Sequence, residues 1–164
     1  MNNATEFGSG QEAANDHRIL VFGRLLGAAN RLEFLLGRAL EQEFGLSHSL
    51  FELLLLAARG GNEGIPVRDI AQARVLTSGG ATRLVQRASA LGLIERESSA
   101  VDGRVQLIRL TTHGEDVLLR ASTRHVEKIE RYMLDLLSPA EAEVLSEAVK
   151  KISKNAAQHL PIMP

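Results

Sequence analysis

Thr77-Ser78-Gly79-Gly80-Ala81-Thr82-Arg83-Leu84-Val85-Gln86-Arg87-Ala88-Ser89-Ala90 is the stretch whose reading decides the fold. Thr77 and Ser78 are helix-capping residues. Ala81, Leu84, Val85 and Ala88 then recur at three- and four-residue steps, which is one apolar stripe of a helix. Thr82, Arg83, Gln86 and Arg87 fall on the opposite face, and Leu91-Gly92-Leu93 ends the helix. Upstream, Arg68 to Ala73 predicts one or two helical turns with Ile70 and Ala71 inward, and Val75-Leu76 connects the two. Downstream the period changes. Leu93 to Glu97 and Arg104 to Leu110 read as strands, joined by Ser98-Ser99-Ala100-Val101-Asp102-Gly103, whose Asp-Gly pair signals a hairpin. A short helix, a tight turn, a second helix and a two-stranded hairpin make a winged helix-turn-helix.

The flanks are helical. Asn15 or Asp16 is placed to cap a long helix with an apolar stripe from Phe22 to Leu40, stopped at Gly45. A second helix starts at Ser47 or Ser49, with Ser49 to Glu52 reading as a capping box. Its body, Phe51 to Ala58, is apolar all round and predicts full burial. Gly60-Gly61-Asn62-Glu63-Gly64 is a loop, and Ile65-Pro66-Val67 is short and extended. A helix runs from Thr112 to about Leu137. Ser138-Pro139-Ala140-Glu141 starts the last one, whose stripe is Val144, Leu145, Ala148, Val149 and Ile152. Leu160 to Pro164 is an apolar end punctuated by Pro. The expected fold is mainly α (α+β). Residues 1–14 form a flexible leader, 15–45 and 112–160 a helical dimerisation region, and 46–111 the winged-helix lobe. The outer helices carry more apolar surface than one small lobe covers, which points to a homodimer, two-fold in symmetry.

Composition narrows the function. Of 164 residues, 45% are hydrophobic and 24% charged, an ordinary globular balance. The absence of Cys excludes disulfides and thiolate metal sites. No apolar run spans a bilayer, and the first fifteen residues do not read as a signal peptide, so a cytoplasmic protein is expected. The net charge of −1 conceals an uneven distribution. Residues 65–111 hold seven Arg (68, 74, 83, 87, 96, 104 and 109) against four acids, while the segments on either side are acidic. Arginine forks pair with phosphate and guanine, although a solvated mixed-charge surface has the same composition. The five His are scattered without metal-motif spacing, no phosphate-binding Gly loop is present, and no catalytic constellation emerges, so neither cofactor, metal nor enzyme is expected.

Four passages resemble the multiple-antibiotic-resistance regulator (MarR) family. Leu46-Ser47-His48-Ser49-Leu50-Phe51-Glu52-Leu53-Leu54 is similar to the start of that family's second helix. Thr77 to Arg87, continuing through Leu91-Gly92-Leu93-Ile94-Glu95-Arg96, resembles its recognition helix. Asp102-Gly103-Arg104, with Leu110-Thr111-Thr112-His113-Gly114, resembles its wing and the turn into the fifth helix. Ser138-Pro139-Ala140-Glu141 resembles the sixth-helix start, and the likeness covers about residues 16–155. It departs at Arg74, where relatives carry Gly or a neutral residue, and at Gly103, which replaces an Arg and leaves the wing one cation short.

The resulting expectation is a DNA-binding transcription regulator; a winged-helix module that assembles proteins without DNA is the alternative. The DNA-contacting residues are then Arg68, Thr77, Ser78, Gly79, Gly80, Thr82, Arg83, Gln86, Arg87 and Arg104. Consecutive Gly79 and Gly80 weaken a helix by about 1 kcal/mol each against Ala, which close backbone approach to a phosphate would offset. Arg83 and Gln86 are the leading candidates for base or phosphate contact, the alternative being a solvated face. Arg87 either joins them or pairs with Asp102 or Glu95. The resemblance implies that Arg104 enters the minor groove, and Asp102 is expected to hold the wing through an ion pair or as a turn former. It also implies a pocket for a small-molecule effector, for which Arg31, Phe34 and His48 are candidates by position; an anionic or aromatic molecule would suit Arg31.

Overall fold

The computed structural model describes residues 6–99 and 101–160. Ala100, residues 1–5 of the expected leader and 161–164 of the apolar end lie outside the described residues. The chain divides into two compact units, residues 1–35 and 36–164.

In the first unit, α1 (Gly10–Ala14) is a single turn capped by Ser9, whose hydroxyl accepts from Glu12 N–H. This part of the expected leader is therefore helical: Ser9 and Glu12 supply a local start signal that the glycines on either side obscure. α2 (His17–Phe44) is capped by Asp16, whose carboxylate accepts the Arg18 N–H at 2.9 Å. Arg18 also grips that carboxylate with its side chain and lowers the Asp16 pKa to about 2.

In the second unit the core gathers around α3 (His48–Gly60), which buries Leu50, Phe51, Leu53, Leu54 and Ala57. Leu55 and Leu56 are only half-buried and Ala58 is exposed, so α3 is not covered all round. Ser47 caps it by accepting from Leu50 N–H at 3.3 Å. The expected Ser49–Glu52 box does not form, because Ser47 is the cap and Ser49 already lies inside the helix; Glu52 pairs instead with Arg74 at 2.7 Å and with His48 at 3.6 Å. After a 3-10 turn at Gly61–Glu63 come β1 (Ile65–Pro66), α4 (Val67–Ala73), α5 (Ser78–Ala90), β2 (Ile94–Ser98) and β3 (Gln106–Leu110). The sheet is antiparallel in the order β1-β3-β2, with Ile65 opposite Ile108 and Arg96 opposite Ile108 on the other side. α6 (Thr112–Tyr132) ends five residues earlier than the apolar pattern predicted; Met133 leaves helical geometry and Leu134–Leu136 make a 3-10 turn. α7 (Pro139–His159) has the expected capping box at Ser138 and Glu141 and buries no residue.

The two helices of the turn motif close alike. After α4, Val75 N–H reaches the Gln72 carbonyl and Leu76 N–H reaches Ala71; after α5, Gly92 N–H reaches Ser89 and Leu93 N–H reaches Ala88. This double closure needs a left-handed residue at its hinge. Gly92 fills that place with φ +68°, and Val75 fills it with φ +53°. A β-branched residue there is strained by about 1–3 kcal/mol.

Candidate nucleic-acid interface

α5 is held by its inward stripe: Ala81, Val85 and Ala88 are buried and Leu84 is half-buried. Thr77 is its cap and accepts from Gly80 N–H at 3.1 Å; Ser78 is the first helical residue rather than a cap. The outward face is as expected: Thr77, Ser78, Gly79, Thr82, Arg83, Gln86 and Arg87 are exposed, and Gly80 is half-buried. The Thr82 hydroxyl donates to the Ser78 carbonyl at 2.8 Å, and Arg83 Nε reaches the Gly79 carbonyl at 3.4 Å, so Arg83 lies along its own first turn.

Gly80 is explained by packing, since a methyl there would stand 3.3 Å from Thr77 Oγ1. Gly79 is not. A methyl on Gly79 meets no atom within 4 Å. The fold leaves that place open, so packing within the chain does not require glycine there.

The wing follows the expected Ser98–Gly103 connection with shifted ends. Gly103 is absent from the left-handed residues of the described chain, and β3 begins at Gln106 instead of Arg104. The connection is longer, closed by Ser99 N–H to the Val105 carbonyl at 2.8 Å and Val105 N–H to the Asp102 carbonyl at 2.9 Å. Asp102 makes no ion pair among the described residues; its carboxylate accepts Arg104 N–H at 3.0 Å, so it acts as a turn former. Arg87 pairs with neither Asp102 nor Glu95 among the described residues.

The seven arginines of the lobe divide into two sets. Arg74 pairs with Glu52, Arg109 with Glu97, and Arg68 with Asp69 at 3.4 Å. Arg83, Arg87, Arg96 and Arg104 are exposed and have no acidic partner among the described residues. A cleft of about 330 Å³ brings Arg68, Arg96 and Arg104 together with Thr82 and Gln106. Arg96 was not singled out from sequence. Its signal was the register, which sets it on the strand beside the wing tip rather than on the helix. A positive rim of this kind attracts phosphate.

The expected effector residues are differently placed. Arg31 and Phe34 lie on α2 within the first unit, where the Arg31 guanidinium fills the space beside Gly27 and Phe34 is 64% exposed. His48 lies in the second unit, half-buried, near Glu52 and 6.1 Å from the His125 ring. Among the described residues no cluster of three or more metal-ligating side chains occurs, and no helix is long and apolar enough to cross a membrane.

A short helix, a strained turn, an exposed second helix and a hairpin strengthened by a third strand define the lobe as a winged helix-turn-helix. The sequence model of the MarR family matches residues 44–105. The HTH-type transcriptional regulator MhqR of Bacillus subtilis (strain 168) is 30% identical over 114 residues, covering 70% of this chain and 77% of that one. Among solved structures, the MarR family transcriptional regulator Sco3205 of Streptomyces coelicolor, in complex with DNA, superposes with a TM-score of 0.79 at 25% identity, covering 94% of this chain and 92% of that one. AbsC, a MarR family transcriptional regulator of the same organism, gives 0.78 at 24% identity, covering 94% and 100%. The chain belongs to the MarR family of transcriptional regulators.

Proposed function

We propose that the protein is a homodimeric, sequence-specific DNA-binding regulator, a cytoplasmic repressor released from its operator by a small molecule, with no enzymatic activity of its own. The observation that carries the reading is the unmatched set Arg83, Arg87, Arg96 and Arg104 on the recognition helix and wing, in a lobe whose Arg74 and Arg109 are paired with Glu52 and Glu97 and whose Arg68, 78% exposed, touches Asp69 only at 3.4 Å. In this reading α5 lies in the major groove. Thr77, Ser78 and Gly79 meet a phosphate with their backbone, while Gly80, whose N–H is held by Thr77, lets the duplex approach; Thr82, Arg83, Gln86 and Arg87 face base edges and backbone. Arg104 enters the minor groove, Arg68 holds a phosphate, and Asp102 shapes the tip.

Dimerisation is supported by the outer helices. α7 buries nothing although Val144 is 70% and Ile152 55% exposed on one apolar stripe. Its partner in this reading is a second copy. Two recognition helices then read half-sites about 34 Å apart in a pseudo-palindrome. Arg31 and Phe34 of the first unit, and His48 of the second, are each proposed as effector contacts; the exposed ring of Phe34 and the Arg31 cation suit an anionic or aromatic molecule.

Footprinting of the DNA flanking the protein's own gene tests the reading. Protection of two half-sites on one duplex face, surviving competitor DNA and weakening with salt, is expected. A module that only assembles proteins gives no footprint and no salt-dependent retention.

A further inference from the structure

The two closures of the turn motif differ in one respect. At the end of α5 the left-handed place is taken by Gly92, and the residue before it is Leu91, which has no polar side chain. At the end of α4 that place is taken by Val75, and the residue before it is Arg74, whose guanidinium reaches Glu52 Oε2 on α3 at 2.7 Å, 22 residues away. The unstrained closure stands alone and the strained one is fastened to the core helix. No other tie of this kind leaves the motif: among the described residues, the remaining side-chain hydrogen bonds of residues 67–83 run from Arg68 to Asp69, from Gly80 N–H to Thr77, from Thr82 to Ser78 and from Arg83 to Gly79. The Arg74 and Glu52 side chains are 26% and 31% exposed, which limits screening of a short charge-assisted bond. The other Glu52 oxygen lies 3.6 Å from His48 Nε2, so the carboxylate is held from both sides.

Residues 74–77 are all that join α4 to α5, so the backbone angle at Val75 sets the direction in which the recognition helix leaves α4. A β-branched residue stays left-handed only where its surroundings enforce it. We propose that Glu52 and Arg74 are a positioning pair: by anchoring the residue before Val75 to α3, they hold Val75 left-handed and aim α5. Arg74 thus differs in role from the arginines that face outward. The consequence for DNA rests on the function proposed above. Without the pair Val75 relaxes toward extended backbone, α5 swings from its angle to the wing, and Arg83 and Arg104 no longer meet one duplex together.

The test uses the full-length protein, and amide hydrogen exchange by NMR reads the turn without DNA. In Glu52→Ala the Val75 and Leu76 amides, which donate to Gln72 and Ala71, are expected to exchange at least tenfold faster than in wild type, while the Leu93 amide at the α5 closure, which donates to Ala88, keeps its rate. Equal rates at Val75 and Leu76 in both proteins, or acceleration of all three amides alike, overturn the positioning pair. The second probe is a labelled duplex of the DNA flanking the protein's own gene, read by fluorescence anisotropy against salt. Glu52→Ala is expected to lower affinity at least fivefold with the salt slope unchanged, and the exchanged pair Glu52→Arg with Arg74→Glu to recover to within twofold of wild type. In a Val75→Gly background, where the turn needs no anchor, the loss is expected to shrink below twofold. Unchanged affinity in Glu52→Ala overturns the link to DNA. Higher affinity in Glu52→Ala, with a salt slope shallower by about 1 in Arg74→Ala, makes Arg74 a phosphate contact and overturns the pair. Where circular dichroism shows that Glu52→Ala has lost its fold, Arg74→Ala takes its place in both measurements. Fast exchange at the turn of Glu52→Ala, in a protein whose wild type retains no DNA, refutes the proposed function and leaves the positioning pair standing.

Discussion

The Asp102 carboxylate accepts the backbone N–H of Arg104 at 3.0 Å, so the acid at the wing tip fixes the direction of the base that follows it. The function proposed for Arg104 therefore depends on an uncharged property of Asp102, its acceptor oxygen.

Asp102→Ala is expected to lower DNA affinity about fivefold, the equivalent of about 1 kcal/mol for one hydrogen bond, with little change in thermal midpoint because the tip is exposed. Asp102→Asn keeps the acceptor and should recover most of the affinity. Equal losses in both variants, measured by fluorescence anisotropy on operator DNA, would mean that the charge matters and the turn does not.

Val75→Gly should stabilise the protein. Relief of about 1–3 kcal/mol of left-handed strain exceeds the roughly 1 kcal/mol entropic cost of Gly, leaving a net gain on the order of 1 kcal/mol. Half of Val75 is exposed, so little burial is lost. Urea denaturation reads the outcome, and a lower midpoint for the variant would refute the strain assignment.

Gly114→Ala should do the reverse. A methyl there would stand 1.8 Å from the Leu93 carbonyl oxygen, which is backbone and has no rotamer to yield. The neighbourhood is tied: Thr111 N–H donates to that same carbonyl at 3.1 Å and the Thr111 hydroxyl to Gly92 O at 2.6 Å. A loss of at least about 2 kcal/mol is expected by denaturation, and a loss below about 0.5 kcal/mol would contradict this junction.

His125 rests against the Phe51 ring at 4.6 Å, with His48 6.1 Å away and its Nδ1 buried without a partner among the described residues. Burial, then the neighbouring His48, lowers its pKa below 6.5, against the opposite pull of Glu52. The folded state thus resists a proton that the unfolded chain accepts. Stability is full above the unfolded pKa of about 6.5 and falls as pH drops through it. His125→Leu should flatten the thermal midpoint between pH 7 and 5 relative to wild type; parallel profiles would exclude this histidine.

The parts legible from sequence were those set by neighbours in the chain. Thr77 caps α5, its stripe faces inward, Gly92 ends it, and Ser138 with Glu141 starts α7, each within a few residues. Distant partners decided the rest. Ser47 and not Ser49 caps α3, and Glu52 finds Arg74, 22 residues away, which no local pattern announces. β1 reads only as a short extended piece until it finds β3, and Arg96 joins the basic cleft only through the register of β2 on β3. The Asp-Gly pair marked the hairpin correctly but for a different reason, the Asp102 side chain rather than a left-handed Gly103. Nothing between Glu130 and Leu137 explains locally why α6 stops at Tyr132.

The most direct measurement is operator affinity against salt for wild type and for the double variant Arg83→Ala, Arg104→Ala. Binding that uses these cations predicts affinity lower by at least tenfold in the variant, a slope of log affinity on log salt shallower by about 2, and an unchanged thermal midpoint. Identical affinity and identical slope at matched salt would contradict a DNA-reading face built on α5 and the wing.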